Sequence, residues 1–481
     1  FFKQKTAYEI LSGLVGSDEE NRMADLKVTK TLPEGIESKM LYSDIIHIAW
    51  PSLVELTLTQ LASMVDLMMV GQLGPWALTA VGLTTQPKFL LMTMFMAMNV
   101  GATAMVARYK GAGNQKKADE VLRQALLMTF VLGCVFAVIG FIAAPWLIKF
   151  MGASEDHVLQ AGVDYLRIQM IGLPGLALTS TITATLRGVG NSKTAMIYNA
   201  MANIINVIFN YMLIYGNFGA PRMEVAGASL ATIIGQYCAM FMAFYAVMNG
   251  QQYIILRFRD GFKPNKEEIK KIVDIGAPAM VEQVVMRIGL IIYTRTVAGL
   301  GTLPYAVHQV CLNIQSLSFM NGQAFAVSAT SLTGQSLGKK RHDMAQAYTT
   351  RTRKLGMCVS IFLGVVFFFF GGQIVALYSG GDQSLVELGA VIMMFVAVVQ
   401  PFQSSQLILA GALRGAGDTK VTAAITFITV LLVRPALAIF AINVLGMGLE
   451  GAWYALVTDQ ILRSLLVLLR YNSGAWKRHT M

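Results

Sequence analysis

The residues best able to do chemistry are a few polar side chains set in apolar surroundings. Asp66 lies in the run Leu61-Ala-Ser-Met-Val-Asp66-Leu-Met-Met-Val-Gly71. A carboxylate is expensive in such a stretch and needs a purpose or a partner. Held away from bulk water, it gains from being neutralised, either by a proton or by Na+ with amide oxygens completing the shell. The alternative is a carboxylate near a helix end that reaches headgroup water. Asn206 and Asn210 are four residues apart, so both amides share one helical face, and Asn203 and Asn199 extend the row. Hydrogen bonding between helices is the other use of such amides. Glu55 and Glu282 are further acids at depth. Lys88, Arg287 and Arg434 are cations that need carboxylate or carbonyl partners. Glu282 and Arg287 are five apart and off one face, which sends each to a partner on another helix. His308-Gln309 and Gln315 can line a cleft or pack between helices.

The elements that must position these residues are apolar helices. Of the 481 residues 55% are hydrophobic and 14% charged, against about 25% charged in a soluble domain. Twelve runs are long enough to cross a bilayer, over residues 44–70, 76–107, 121–150, 160–187, 193–215, 225–249, 272–298, 304–336, 350–378, 386–413, 420–444 and 450–470. The fold class expected is an all-α membrane protein of twelve transmembrane helices. The net charge of +11 follows the positive-inside bias rather than nucleic-acid binding. Lys and Arg crowd the segments after the second, sixth and eighth helices and the tail, for example Lys116, Lys117, Lys270, Lys271, Lys339 and Lys340. Both termini are therefore expected in the cytoplasm, with the chain multi-pass in a cell (inner) membrane. Residues 1–22 read as an artefactual leader, with Met23 or Met40 as the start, and are set aside. The cysteines Cys134, Cys238, Cys311 and Cys358 lie in apolar helices without a CxxC pair, and the histidines are scattered, so no disulfide framework, zinc site or other metal site is indicated.

An internal repeat organises the chain. Under a shift of 227 (278 − 51), Pro51 falls on Pro278, Glu55 on Glu282, Thr103 on Thr330, Gly111 on Gly338 and Pro174 on Pro401. Leu186-Arg187-Gly188 falls on Leu413-Arg414-Gly415. Near the sixth helix the shift becomes 224, since Gly227 meets Gly451. Six helices per half is an even number, so the halves enter the membrane in the same sense and form parallel repeats. The expected organisation is an N-terminal segment 1–43, an N-lobe 44–249, a basic linker 250–271, a C-lobe 272–471 and a tail 472–481. Two lobes around a cleft suit alternating access more than a pore. The repeat also isolates Asp66: its mate is Tyr293, while Asn206 and Asn210 correspond to Val433 and Leu437. The polar face belongs to one lobe only.

Two segments join helices on the basic side, Leu186-Arg-Gly-Val-Gly-Asn-Ser-Lys193 and Leu413-Arg-Gly-Ala-Gly-Asp-Thr-Lys420. Turn chemistry explains their glycines and their Asn or Asp, and their Arg and Lys are expected at the membrane surface. The doubled motif nevertheless resembles the signature of the multidrug and toxic compound extrusion (MATE) family. Val65-Asp66-Leu67-Met68-Met69-Val70-Gly71-Gln72-Leu73-Gly74 is similar to that family's first-helix motif, and Ala306-Val307-His308-Gln309-Val310 with Gly334-Gln335-Ser336-Leu337-Gly338 to its eighth helix and following turn. The resemblance covers about residues 44–471. It implies a two-lobe antiporter that exports organic cations or other small amphiphiles against H+ or Na+, without a cofactor. A monomer suffices, and the partners are the substrate and the lipid bilayer.

The resemblance further implies that Asp66, Asn206 and Asn210 surround the coupling cation, Na+ included, with Thr232 as a weaker member. Some relatives have a second acid on the fifth helix; Asn210 stands there instead, so a proton shared between two acids does not carry over. Nor does a C-lobe cation site, because Glu282 and Glu387 are not at the matching positions. Glu55, Glu282, His308 and Gln309 are the candidates for a substrate cleft, with a scaffold role for the two repeat-equivalent acids equally open. The competing reading is a lipid or lipid-linked oligosaccharide flippase of a related two-lobe fold, which predicts more basic residues along the cleft. A membrane enzyme finds no paired catalytic acids, HExxH or nucleophile elbow. The loop Arg108-Tyr-Lys-Gly-Ala-Gly-Asn-Gln-Lys-Lys-Ala-Asp-Glu120 does not resemble that of a major-facilitator carrier.

Overall fold

The computed structural model describes residues 35–153, 155–377 and 382–478. The leader 1–22 lies outside them. Among the described residues twelve long helices follow in chain order: α1 Ser38–Gly71, α2 Pro75–Gly111, α3 Gln115–Phe150, α4 Asp156–Gly188, α5 Ser192–Tyr215, α6 Glu224–Met248, α7 Lys266–Ala298, α8 Thr302–Gly338, α9 His342–Ala376, α10 Gln383–Gly415, α11 Thr419–Asn443 and α12 Gly448–Asn472. Ten are long and apolar enough to cross a membrane. The other two, α4 and α8, are diluted by polar residues that the bundle covers. On α4, for example, Thr181 Oγ1 meets Asn99 Oδ1 and Thr129 Oγ1, each at 2.8 Å.

Several helices begin earlier than their apolar runs. α1 starts at Ser38 rather than 44, α7 at Lys266 rather than 272, and α9 at His342 rather than 350. Their first turns are polar yet helical. At α7 the Asn265 side chain caps the backbone N–H of Glu267 at 3.1 Å, and two acids sit in the first turn, where the helix dipole favours them. A hydropathy reading sees only the apolar part of such a helix.

The repeat is visible in the packing. Thr103 Oγ1 donates to Asn99 O (2.7 Å) and Ala184 O (3.2 Å); its mate Thr330 donates to Ala326 O (2.9 Å) and Gly411 O (2.8 Å). In the first half α4 packs on α2, α3 and α6, and α5 lies between α1 and α6; in the second half α10 packs on α8, α9 and α12. The halves meet through α8 on α1 and α2, and through α7 on α2. Hydrogen bonds joining them cluster at the basic end, where Ser328 Oγ donates to Ile45 O at 3.1 Å and Tyr348 OH to Asp44 Oδ2 at 2.6 Å.

The two helices that should be mates, α5 and α11, differ. α11 widens to a π-helix over Phe427–Val433, just before Pro435, which has no N–H to give and crowds the preceding turn. Arg434 there finds the carboxylate partner it needs. Its Nε lies 3.0 Å from Asp459 Oδ2, Arg463 NH2 lies 2.9 Å from the same oxygen, and all three side chains are buried. Removing the charge from Asp459 would strand two buried guanidinium groups. Asp459→Asn should therefore destabilise the C-lobe by about 3–5 kcal/mol, read as a lower unfolding temperature in detergent. An unchanged unfolding temperature would show that the pair is solvated or dispensable.

Candidate functional site

The doubled turn motif does more than turn. Gly190 and Gly417 adopt φ +83° and +81°, the left-handed region that favours glycine. The preceding Gly188 and Gly415 touch backbone: a Cβ on either would lie 2.8 Å from Thr103 O or 2.3 Å from Thr330 O. The arginines do not point at the membrane surface as expected. Arg187 NH2 turns back to Glu55 Oε2 at 2.7 Å, and Arg414 NH2 to Glu282 Oε1 at 2.8 Å. Glu55 and Glu282 are both buried. Each motif thus ties the end of one helix to an acid on the first helix of its lobe, and the charges of Glu55 and Glu282 are taken up inside each lobe.

From Glu55 outward, α1 and α5 run parallel and are joined by polar rungs. Asn199 Nδ2 donates to Glu55 Oε1 at 2.6 Å, Asn203 Nδ2 to Thr59 Oγ1 at 3.2 Å, and Asn210 Nδ2 to Asp66 Oδ1. Every rung joins residues 144 apart, as one register between two parallel helices requires. Tyr215 OH closes the far end on Met69 O at 2.8 Å. In the C-lobe only the first rung survives, Thr426 Oγ1 to Glu282 Oε1 at 3.3 Å. The next mates are Met286 with Val430 and Tyr293 with Leu437, and Tyr293 OH instead donates to Ala452 O at 2.7 Å.

Asn206 lies on the same face of α5. With its amide turned to satisfy both ends, its nitrogen donates to Asp66 Oδ1 and Oδ2 at 2.9 and 3.1 Å, and its oxygen accepts from the Thr232 N–H at 3.1 Å. The structure therefore brings Asp66, Asn206, Asn210 and Thr232 together. Asn210 is fully buried, and its Oδ1 has no hydrogen-bond partner. An unpaired buried carbonyl oxygen calls for an explanation. One carboxylate with amide and hydroxyl oxygens around it is a donor set for a proton or a small hard cation.

The group opens on a cavity of about 330 Å³ whose lining comes from α1, α2, α4, α5 and α6, including Thr59, Asp66, Lys88, Phe89, Asn203, Asn206, Thr232 and Gln236. Gln236 was not anticipated, although it sits one turn from Thr232 on the same face of α6. Gln236 Oε1 is also buried without a partner. His308 is elsewhere. It is fully buried in the C-lobe, edge-on to Tyr293 and to Trp453 with ring centroids 5.6 Å from each. Gln309 beside it is half-buried. The structure does not bring either one to the Asp66 cavity.

Comparison with known proteins agrees with this architecture. The MatE family model matches residues 51–212 and again 278–440, one match per lobe. The chain is 27% identical over 439 residues to "Probable multidrug resistance protein NorM" of Thermotoga maritima, covering 91% of this chain and 94% of that one. It is 26% identical to "Uncharacterized transporter YisQ" of Bacillus subtilis, over 90% and 94% of the two chains. A solved structure described as the outward-facing conformation of a multidrug resistance MATE family transporter superposes with TM-score 0.85 at 21% identity, covering 94% of this chain and all of the other. With both halves matched and the two-lobe helical fold in place, the chain belongs to the MatE family and is a multi-pass multidrug and toxic compound extrusion transporter of small molecules, not an enzyme.

Proposed function

We propose that this transporter is an antiporter that exports organic cations or other small amphiphiles in exchange for H+ or Na+, with the coupling ion taken at Asp66. The observation that carries the reading is the Asp66 carboxylate, held by two amides beside a cavity and without a counterpart in the other lobe. In the ion-free state the amides of Asn206 and Asn210 donate to it and satisfy its charge. Turning the Asn206 amide over presents an oxygen instead, and together with Asn210 Oδ1 it completes an oxygen shell for Na+; a proton needs only the carboxylate. Either event neutralises Asp66 and removes an attraction for a cationic substrate. Ion and substrate then compete, and competition under alternating access is exchange.

The Lys and Arg of the basic end support a cytoplasmic position for it. The lobes are in contact at that end, so the cavity belongs to a state closed toward the cytoplasm. A single chain contains every residue this scheme uses, which supports a monomer as the working unit. The test is export of a fluorescent organic cation from drug-sensitive bacteria, with proton and sodium gradients imposed separately on wild type and Asp66→Asn. Export under one gradient that is lost in Asp66→Asn supports the reading and names the ion. Equal export by both proteins would remove Asp66 from the mechanism. No export by correctly inserted wild type would favour the flippase alternative.

A further inference from the structure

We propose that the N-lobe cavity also holds a subsite for an anionic group, centred on Lys88, so that its substrates are zwitterions with an amine toward Asp66 and a carboxylate toward Lys88. This rests on the reading of the cavity as the transport site. Lys88 lies 13 residues into α2 (88 − 75), about 20 Å along the helix from its non-basic end. A cation at that depth is normally paired, as several arginines of the bundle are: Arg187 with Glu55, Arg414 with Glu282, and Arg434 and Arg463 with Asp459. Lys88 is different. Among the described residues no hydrogen bond or ion pair reaches its ammonium group, although it lines the cavity. Asp66 shares that cavity without coming within ion-pair distance.

A second cation stands beside it. Arg287 reaches across from α7 and lies over the ring of Phe89, 4.7 Å from its centroid, and Phe89 lines the same cavity. No carboxylate is paired with Arg287 among the described residues. The cavity is therefore lined by one carboxylate and one cation, with a second cation stacked on its Phe89 wall. A simple monocation gains from Asp66 but is repelled by Lys88 and Arg287. A molecule with both signs satisfies the carboxylate and supplies the missing partner of Lys88. The volume of about 330 Å³ is at the small end for ligand pockets and suits a compact molecule of this kind. The anionic group can come from a free solute or from a lipid phosphate; a volume of about 330 Å³ suits a compact solute better than a lipid, and the free solute is the source we assign.

The two dye forms of one rhodamine separate the possibilities, because the free acid is a zwitterion and its ethyl ester a monocation on the same ring system. Uptake of each is measured in proteoliposomes under imposed gradients, for wild type, Lys88→Met, Lys88→Arg and Asp66→Asn, alongside translocation of a fluorescent phospholipid. Lys88→Met should raise the ratio of the acid's KM to the ester's at least about tenfold, and Lys88→Arg should restore it. The inference is overturned if wild type carries only the ester, if Lys88→Met leaves both dyes as in wild type, or if it weakens both alike. It is also overturned if Lys88→Met stops phospholipid translocation and spares the acid, which would assign Lys88 to a lipid headgroup. Wild type that carries neither dye removes the transport reading along with this one. Transport in wild type with an acid-to-ester ratio indifferent to residue 88 removes this inference alone.

Discussion

Asp66→Asn is expected to lower gradient-driven export at least about a hundredfold while leaving insertion and unfolding temperature close to wild type. The substitution keeps the shape and much of the hydrogen bonding. An amide at 66 still meets Asn206 and Asn210, so the α1–α5 ladder and its lower rungs at Thr59 and Glu55 persist. What it removes is the ability to take up a proton or a cation at this point. A loss of about 2.7 kcal/mol in the coupled step corresponds to a hundredfold, within the range for an interaction with a charged group that is made in one state only. Asn210→Ala is expected to act more mildly, raising the concentration of ion needed for half-maximal export about tenfold, because in the proposed scheme it deletes one ligand and keeps the charge. The pair is checked by dye export against H+ and Na+ concentration. A wild-type rate in Asp66→Asn, or ion dependence unchanged in Asn210→Ala, would mean that the cluster only fastens α1 to α5.

Much of this was legible in the residues, for reasons that can be named. A repeat with one register, from Pro51 on Pro278 to Lys193 on Lys420, leaves little freedom in topology. The four-residue step from Asn206 to Asn210 is a local property of a helix, so their common face could be read directly. What could not be read were pairings set by the packing of distant segments. Arg187 looks like a surface arginine in its turn; that it folds back on Glu55, 132 residues earlier (187 − 55), depends on how α4 ends against α1. Lys88 was visible as a membrane cation, but that it faces the Asp66 cavity depends on where α2 passes α5 and α6. His308 sits in a motif that invites a cleft role, yet it is enclosed by Tyr293 from α7 and Trp453 from α12. Helix starts were missed where polar first turns continue beyond the apolar run, as at Lys266 and His342.

Alanine at either glycine of the basic-end seal should push the transporter toward a state open at that end. Gly111 of α2 and Gly338 of α8 are repeat mates (338 − 111 = 227), and each presses on the other lobe. A Cβ at 111 would lie 1.9 Å from Gln335 O, and one at 338 would lie 2.0 Å from Arg108 O. Both obstacles are backbone, and Arg108 and Gln335 are themselves mates (335 − 108 = 227), so the clash is the same on both sides of the pseudo-axis. Around them Gln335 Nε2 and Ser331 Oγ donate to Gly188 O at 3.1 and 2.9 Å, joining the C-lobe to the turn motif of the N-lobe. Within its own helix alanine is preferred over glycine by about 1 kcal/mol, so Gly111→Ala and Gly338→Ala should fold. Contact between the lobes is what they deny. Overpacking of this kind costs about 1–3 kcal/mol, and such a bias shifts a two-state equilibrium by about 5- to 150-fold. The readout is Ser331→Cys, at a position fully buried in the seal, on a background from which Cys134, Cys238, Cys311 and Cys358 have been removed. A water-soluble maleimide applied from the basic side should label the introduced thiol in the alanine variants and scarcely in the parent, and export should fall about tenfold or more. Absence of labelling at position 331 with normal export in both variants would show that the glycine contacts tolerate a methyl group and that the lobes do not part along this seam.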